Sequence, residues 1–138
     1  MANFHHVNIR PQDPAASLRF YRALGIDVVG CMRMPGMHTI YLGSPGDSSV
    51  VELSVKEEAD PNWSTATGSG HFAFTVTDLH GAVARLEGMG IRPEGPPFHP
   101  GGRPEVLVAF FGDPDGNRVE LIDGAFPVPQ DDLPEYAR

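Results

Sequence analysis

Two histidines and two glutamates recur along this chain at nearly constant offsets. His6 and His71 stand 65 residues apart, and Glu52 and Glu120 stand 68 apart. Their neighbours recur with them. His6-Val7-Asn8-Ile9-Arg10 lies over His71-Phe72-Ala73-Phe74-Thr75, Asp13 over Asp78, Leu24-Gly25-Ile26 over Met89-Gly90-Ile91, and Val51-Glu52-Leu53 over Val119-Glu120-Leu121. Imidazole nitrogen and carboxylate oxygen are both ligand types for divalent metals. Two neutral imidazoles and two carboxylates around one such ion carry no net formal charge, and four ligands leave positions open for water or substrate. We therefore expect His6, Glu52, His71 and Glu120 to hold one divalent ion. Two nitrogens and two carboxylate oxygens suit zinc, nickel, cobalt, iron or manganese.

A single histidine or glutamate in a strand would carry little weight, because most are structural or face solvent. Repetition in register supplies the weight. Each glutamate also stands among apolar strand residues, Val50-Val51-Glu52-Leu53 and Val119-Glu120-Leu121-Ile122, and an inward-facing carboxylate needs a partner. His5 is the local rival of His6, but Gly70 occupies its repeat position. His38, His80 and His99 have no repeat counterpart. His80 reads as a solvated helix residue and His99 as a loop residue near a cavity rim.

The elements that must position these groups read as β-α-β-β-β, twice. Phe4 to Arg10 alternates as a strand, with Phe4, His6, Asn8 and Arg10 on one face. Asp13-Pro14 reads as a helix N-cap followed by proline at the first position. Leu18, Tyr21 and Leu24 follow at helical spacing, and Gly25 stops the helix. Strands are expected at Asp27 to Met32, His38 to Leu42 and Ser49 to Val55, separated by turns at Pro35-Gly36 and Ser44-Pro45-Gly46-Asp47. After a polar loop, Glu57 to Gly70, the second half repeats the plan. Gly70 to Val76 alternates, with Phe72, Phe74 and Val76 expected under a helix. Asp78 caps that helix, which runs to about Met89, and Gly90 ends it. Strands near Arg92 to Glu94, Val106 to Gly112 and Asn117 to Ile122 follow, with Asp113-Pro114-Asp115-Gly116 as a hairpin turn.

The expected fold class is therefore α+β: one domain over residues 1–125, built from two tandem βαβββ modules at about 4–56 and 70–123 that form a metal-containing cleft. Residues 126–138, rich in proline and acid, read as a tail or a strap over a neighbour. The length of 138 residues suits one core. Eighteen acidic against ten basic residues give a net charge of −8, which argues against a nucleic-acid partner. No apolar run is long enough to span a bilayer, so no membrane partner is expected. Cys31 is the only cysteine, and no basic-then-apolar segment opens the sequence, so a reducing, cytoplasmic setting is the expectation.

These residues carry a family resemblance. The paired modules resemble the vicinal oxygen chelate superfamily, which includes glyoxalase I, bleomycin-binding proteins, fosfomycin-modifying enzymes, methylmalonyl-CoA epimerase and extradiol dioxygenases. The resemblance runs from Phe4 to about Asp123. It is most specific in His6 with Phe20-Tyr21 and Leu24-Gly25, in Val51-Glu52-Leu53, in Gly70-His71-Phe72-Ala73-Phe74, and from Asp113 to Leu121. The His, Glu, His, Glu set is similar to that of bacterial glyoxalase I in all four places, whereas epimerase-like members usually carry Gln where Glu52 stands.

What the resemblance implies is isomerisation of a hemithioacetal, formed from a 2-oxoaldehyde and a thiol such as glutathione, to the thioester of a 2-hydroxy acid. The metal would act as a Lewis acid, Glu120 would be the base, and Glu52 its near-symmetric counterpart. Arg10 resembles a position that contacts the thiol's carboxylate. The resemblance also implies a homodimer with sites shared across the interface. Two features depart from the glyoxalase pattern: the loop Phe98 to Glu105 is about two residues longer, and Lys56 stands near where some glyoxalases have a glutathione-binding asparagine. The competing readings are an extradiol dioxygenase, an epimerase, a thiol transferase, or a protein that sequesters a drug.

Overall fold

The structure, a computed structural model, describes residues 2–44, 50–112, 114 and 116–138. The turn signals at Pro45-Gly46-Asp47 and at Asp113 and Asp115 therefore lie outside the described residues. In order, the elements are β1 (Asn3–Ile9), α1 (Pro14–Ala23), β2 (Asp27–Met34), β3 (Met37–Gly43), β4 (Val51–Lys56), β5 (His71–Val76), α2 (Leu79–Gly88), β6 (Val106–Gly112) and β7 (Arg118–Gly124), with short 3-10 turns at Pro100–Gly102 and Glu135–Ala137. Two compact units result. The first is His6–Gly70 with Pro127–Arg138, and the second is His71–Phe126 with the residues up to His5. This is the mixed α+β fold expected from the repeat. Among the described residues, no helix is long and apolar enough to cross a membrane.

In the first unit the strands lie in the order β2-β3-β4-β1. β1 runs parallel to β4, with Asn8 opposite Glu52, and β3 runs antiparallel to β4, with Thr39 opposite Ser54. Helix α1 starts where Asp13 Oδ1 accepts the amide of Ala16 at 3.0 Å, and Pro14 fills the first position. Gly25, at φ +80°, turns the chain out of the helix, a conformation that costs glycine least. One face of the sheet packs under α1. Leu18, Cys31, Ile40, Leu42 and Leu53 form a buried cluster there. Full burial of a leucine such as Leu18 contributes about 1.5–3 kcal/mol. Leu24 is the C-cap residue and is exposed, because it sits past the last turn that faces the sheet.

The C-terminal stretch is integrated with this unit. Ala137 is buried in the same cluster, with Leu133 and Tyr136 against it. The amide of Cys31 donates to Pro129 O at 2.8 Å, and the amide of Asp131 donates back to Cys31 O at 2.9 Å. Gly30 lets the strap approach. A Cβ there would overlap the Pro129 carbonyl and the Val128 side chain.

The second unit repeats the plan with strands in the order β6-β7-β5. β5 runs parallel to β7, with Ala73 opposite Glu120, and β6 runs antiparallel to β7, with Val108 opposite Ile122. Asp78 Oδ1 accepts the amide of Gly81 at 3.0 Å and caps α2. Leu79 and Val83 of α2 pack on Ala109 and Phe111, with Val76 at the edge of the cluster. Phe72, expected under this helix, is exposed; it stands near the start of β5, four residues before Val76, the residue of that face that packs against the α2 cluster. The strand expected near Arg92 to Glu94 is reduced to a remnant. Glu94 donates its amide to Phe110 O at 2.8 Å, and Phe98 makes an isolated bridge to Val108. Prolines at 93, 96 and 97 supply no amide hydrogen, so a continuous ladder cannot form there.

Candidate metal centre

Each unit brings one histidine to one glutamate by the same construction. In the first, β1 and β4 run parallel with Asn8 opposite Glu52, which sets His6 two residues before that register point. His6 Nε2 lies 3.1 Å from Glu52 Oε2, with side-chain exposures of 1% and 8%. In the second, Ala73 is opposite Glu120 and His71 stands two residues before. His71 Nε2 lies 2.9 Å from Glu120 Oε2, and both side chains are about nine-tenths buried. The same atom of each imidazole therefore meets the same atom of each carboxylate. The register explains the three-residue slip between the halves. The slip falls in the loops, while the strand pairing that sets the contact is conserved between the copies.

The surroundings of the two pairs differ. Beside the first pair, Asn8 Nδ2 donates to Glu52 Oε1 at 3.2 Å and to Ser54 Oγ at 2.8 Å. Thr39 Oγ1 lies 3.2 Å from Ser54 Oγ. All four side chains are buried. Beside the second pair, Ala73, Val108 and Ile122 form an apolar layer with Val106 and Phe110. The Phe110 ring meets the His71 ring edge-on at 5.1 Å. Its face carries the Arg118 guanidinium at 3.8 Å, and Arg118 is in turn forked onto the Glu94 carboxylate at 2.9–3.1 Å.

Arg10 is half-buried and stacks its guanidinium 3.8 Å above the Trp63 ring. Lys56 Nζ lies 5.2 Å from the same ring and 3.5 Å from Asp60. This stack was not foreseen from sequence. The loop carrying Trp63 has no periodicity that marks it as a partner of β1. Asn8 was legible only as a residue on the His6 face. His5, the local rival, is half-buried with its ring 6.2 Å from Phe126. His80 is exposed as expected, and His99 is exposed with Nδ1 2.6 Å from Val106 O.

The sequence profile of the Glyoxalase/Bleomycin resistance protein/Dioxygenase superfamily matches residues 3–121. The chain belongs to this superfamily. Among similar superfamily members, a probable lactoylglutathione lyase of Synechocystis is 31% identical over 130 residues, covering 85% of this chain and 92% of the relative. A lactoylglutathione lyase of Pseudomonas aeruginosa is 28% identical, covering 88% of this chain and 82% of the relative. A solved methylmalonyl-CoA epimerase of Mycobacterium tuberculosis superposes with a TM-score of 0.70 at 22% identity, over 89% of this chain and 88% of that one, and shares the superfamily fold.

The donor set fits a divalent ion. Each unit presents an imidazole nitrogen and a carboxylate oxygen, largely shielded from water and already within contact of each other. A buried carboxylate is costly without a cation or donors nearby, and imidazole with carboxylate is the ligand chemistry of first-row divalent metals.

Proposed function

We propose that the chain is a metal-dependent enzyme of the glyoxalase I type. It converts the hemithioacetal of a 2-oxoaldehyde and a thiol into the thioester of a 2-hydroxy acid. The observation that supports this most is the buried His–Glu pair built identically in both units, together with relatives named lactoylglutathione lyase. His6, Glu52, His71 and Glu120 hold one divalent ion. When bound, that ion supplies Lewis-acid polarisation of the substrate's oxygens. The chain's own groups do the remainder. A carboxylate oxygen of Glu120 takes the proton from the carbon beside the carbonyl and returns it to the neighbouring carbon. Glu52 mirrors it from the other repeat. Arg10, at the end of the His6 strand face, binds the acidic end of the thiol. We also propose a twofold dimer that shares its sites. Exposed Phe4, Phe20, Phe72 and Met89 are in keeping with such an interface.

Metal analysis of purified protein, followed by hemithioacetal assays across reconstituted metals, tests this reading. One divalent ion per His–Glu–His–Glu set and thioester formation are expected. His6→Ala and His71→Ala should each lose stoichiometric metal. Glu120→Gln should keep much of the metal and lose on the order of 10²-fold in turnover. Full metal occupancy in both histidine variants would refute the ligand set. Parent-level turnover by metal-loaded Glu120→Gln would refute the base. Metal binding without thioester from any thiol would move the assignment to ring cleavage, epimerisation or thiol transfer. A metal-free protein that binds an aromatic ligand would be a sequestering protein. Light scattering tests assembly, and a monomer that is active at assay dilution would exclude shared sites.

A further inference from the structure

The two repeats build the same sheet with different chemistry at matched positions. Asn8 opposes Glu52 in the first unit, and Ala73 opposes Glu120 in the second. Thr39 opposes Ser54, where Val108 opposes Ile122. Ser54 and Ile122 each stand two residues after their glutamate. The second unit therefore acts as an internal control. Its Ala, Val and Ile layer shows that the strand pairing itself needs no polar group at these places.

A buried polar cluster is a burden unless every member is satisfied. Asn8, Thr39 and Ser54 are 5%, 3% and 6% exposed, and their hydrogen bonds converge. A carboxylate at neutral pH only accepts, so the group Asn8 turns toward Glu52 is its NH₂. The two amide hydrogens divide between Glu52 Oε1 at 3.2 Å and Ser54 Oγ at 2.8 Å. Glu52 Oε1 is thus held by Asn8 while Oε2 faces His6 Nε2 at 3.1 Å. Ser54 is braced by Thr39 from the next strand. The chain Thr39–Ser54–Asn8–Glu52 crosses β3, β4 and β1 and fixes one carboxylate rotamer.

We propose that Asn8 is a positioning residue that acts through Glu52. It holds the carboxylate in ligating orientation, with Ser54 as its brace. The proposal rests on the metal-dependent reading above. Hydrogen-bonded partners behind metal ligands are typically worth 10–100-fold in metal affinity. The polar layer thus makes Glu52 a held ligand, whereas Glu120 stands on an apolar layer.

The test is a double-mutant cycle read as zinc affinity, by competition with a chelating dye, with apo-protein melting as the folding control. Asn8→Leu preserves bulk and removes the donor, and should weaken zinc about 10–100-fold. Glu52→Ala should also weaken zinc, and adding Asn8→Leu to it should cost nothing more, because the two act as one unit. Ser54→Ala should weaken zinc by a smaller factor and should likewise be silent beside Glu52→Ala. That variant decides the matter alone if Asn8→Leu does not fold. Parent-like zinc affinity in folded Asn8→Leu and in Ser54→Ala overturns the inference. So do losses that multiply with that of Glu52→Ala. A parent that binds no zinc or other divalent ion overturns the metal-dependent reading and this inference together.

Discussion

Replacing Tyr136 by phenylalanine isolates one hydrogen bond that fastens the C-terminal strap to the first unit. The hydroxyl lies 2.7 Å from His38 Nε2, and His38 is 5% exposed. Burial pushes the Tyr136 hydroxyl up to about 12, so it is protonated and able to donate throughout the neutral range. His38 Nδ1 already has no hydrogen-bond partner among the described residues. The Glu57 carboxylate lies 3.5 Å away, outside good geometry. Phenylalanine keeps the ring and its packing against the Leu18 cluster but leaves Nε2 without the hydroxyl. Leaving a buried polar atom unmet costs about 1–3 kcal/mol. In a chain of this size each kcal/mol moves the melting temperature by about 3–5 °C, so a fall of about 3–15 °C is expected by calorimetry or circular dichroism. Tyr136→Ala should fall further, because it also removes ring packing on Leu18 and its neighbours. A phenylalanine variant that melts within about 1 °C of the parent would refute the reasoning and show that the strap is held by packing and backbone bonds alone.

Other consequences concern the same unit. Burial pushes the His38 imidazole below the ordinary histidine value of 6.5, against a smaller opposing pull from Glu57. The unfolded chain thus binds that proton more tightly than the folded one. The contribution is present in full above about 6.5 and is lost as pH falls below it; His38→Gln should flatten that acid slope in pH-dependent melts. Gly70→Ala should destabilise by about 1–3 kcal/mol or more, because the new Cβ would overlap the Asn8 carbonyl; an unchanged melt would show that β1 yields freely there. Trp63 is the only tryptophan, so Arg10→Ala should change its emission directly and cost about 0.5–1 kcal/mol. Identical spectra would show that the stack does not persist in solution.

The sequence by itself determined the duplication, the order of the elements apart from the strand expected near Arg92 to Glu94, and which histidines and glutamates the repeat singles out as candidates. Local rules sufficed for these. Asp13 and Asp78 cap helices through their own side chains, Gly25 and Gly90 end them at positive φ, and alternation places His6 with Asn8 and His71 with Ala73 on one face. Because both halves repeat one pattern, His6, Glu52, His71 and Glu120 stand out without any knowledge of contacts. What only the tertiary structure decided were relations between segments far apart in sequence with no shared period. The pairing of β1 with β4 turns Asn8 toward Glu52 and Ser54, 44 and 46 residues away. The strap reaches back 98 residues to put Tyr136 on His38. Trp63 comes from an aperiodic loop to lie under Arg10, and prolines reduce one expected strand to a bridge and a single hydrogen bond. Such contacts are set by strand register and side-chain volume, which emerge only when the segments pack. The sequence singles out the two His–Glu pairs, and the packing around them shows that the repeats hold their glutamates in different surroundings.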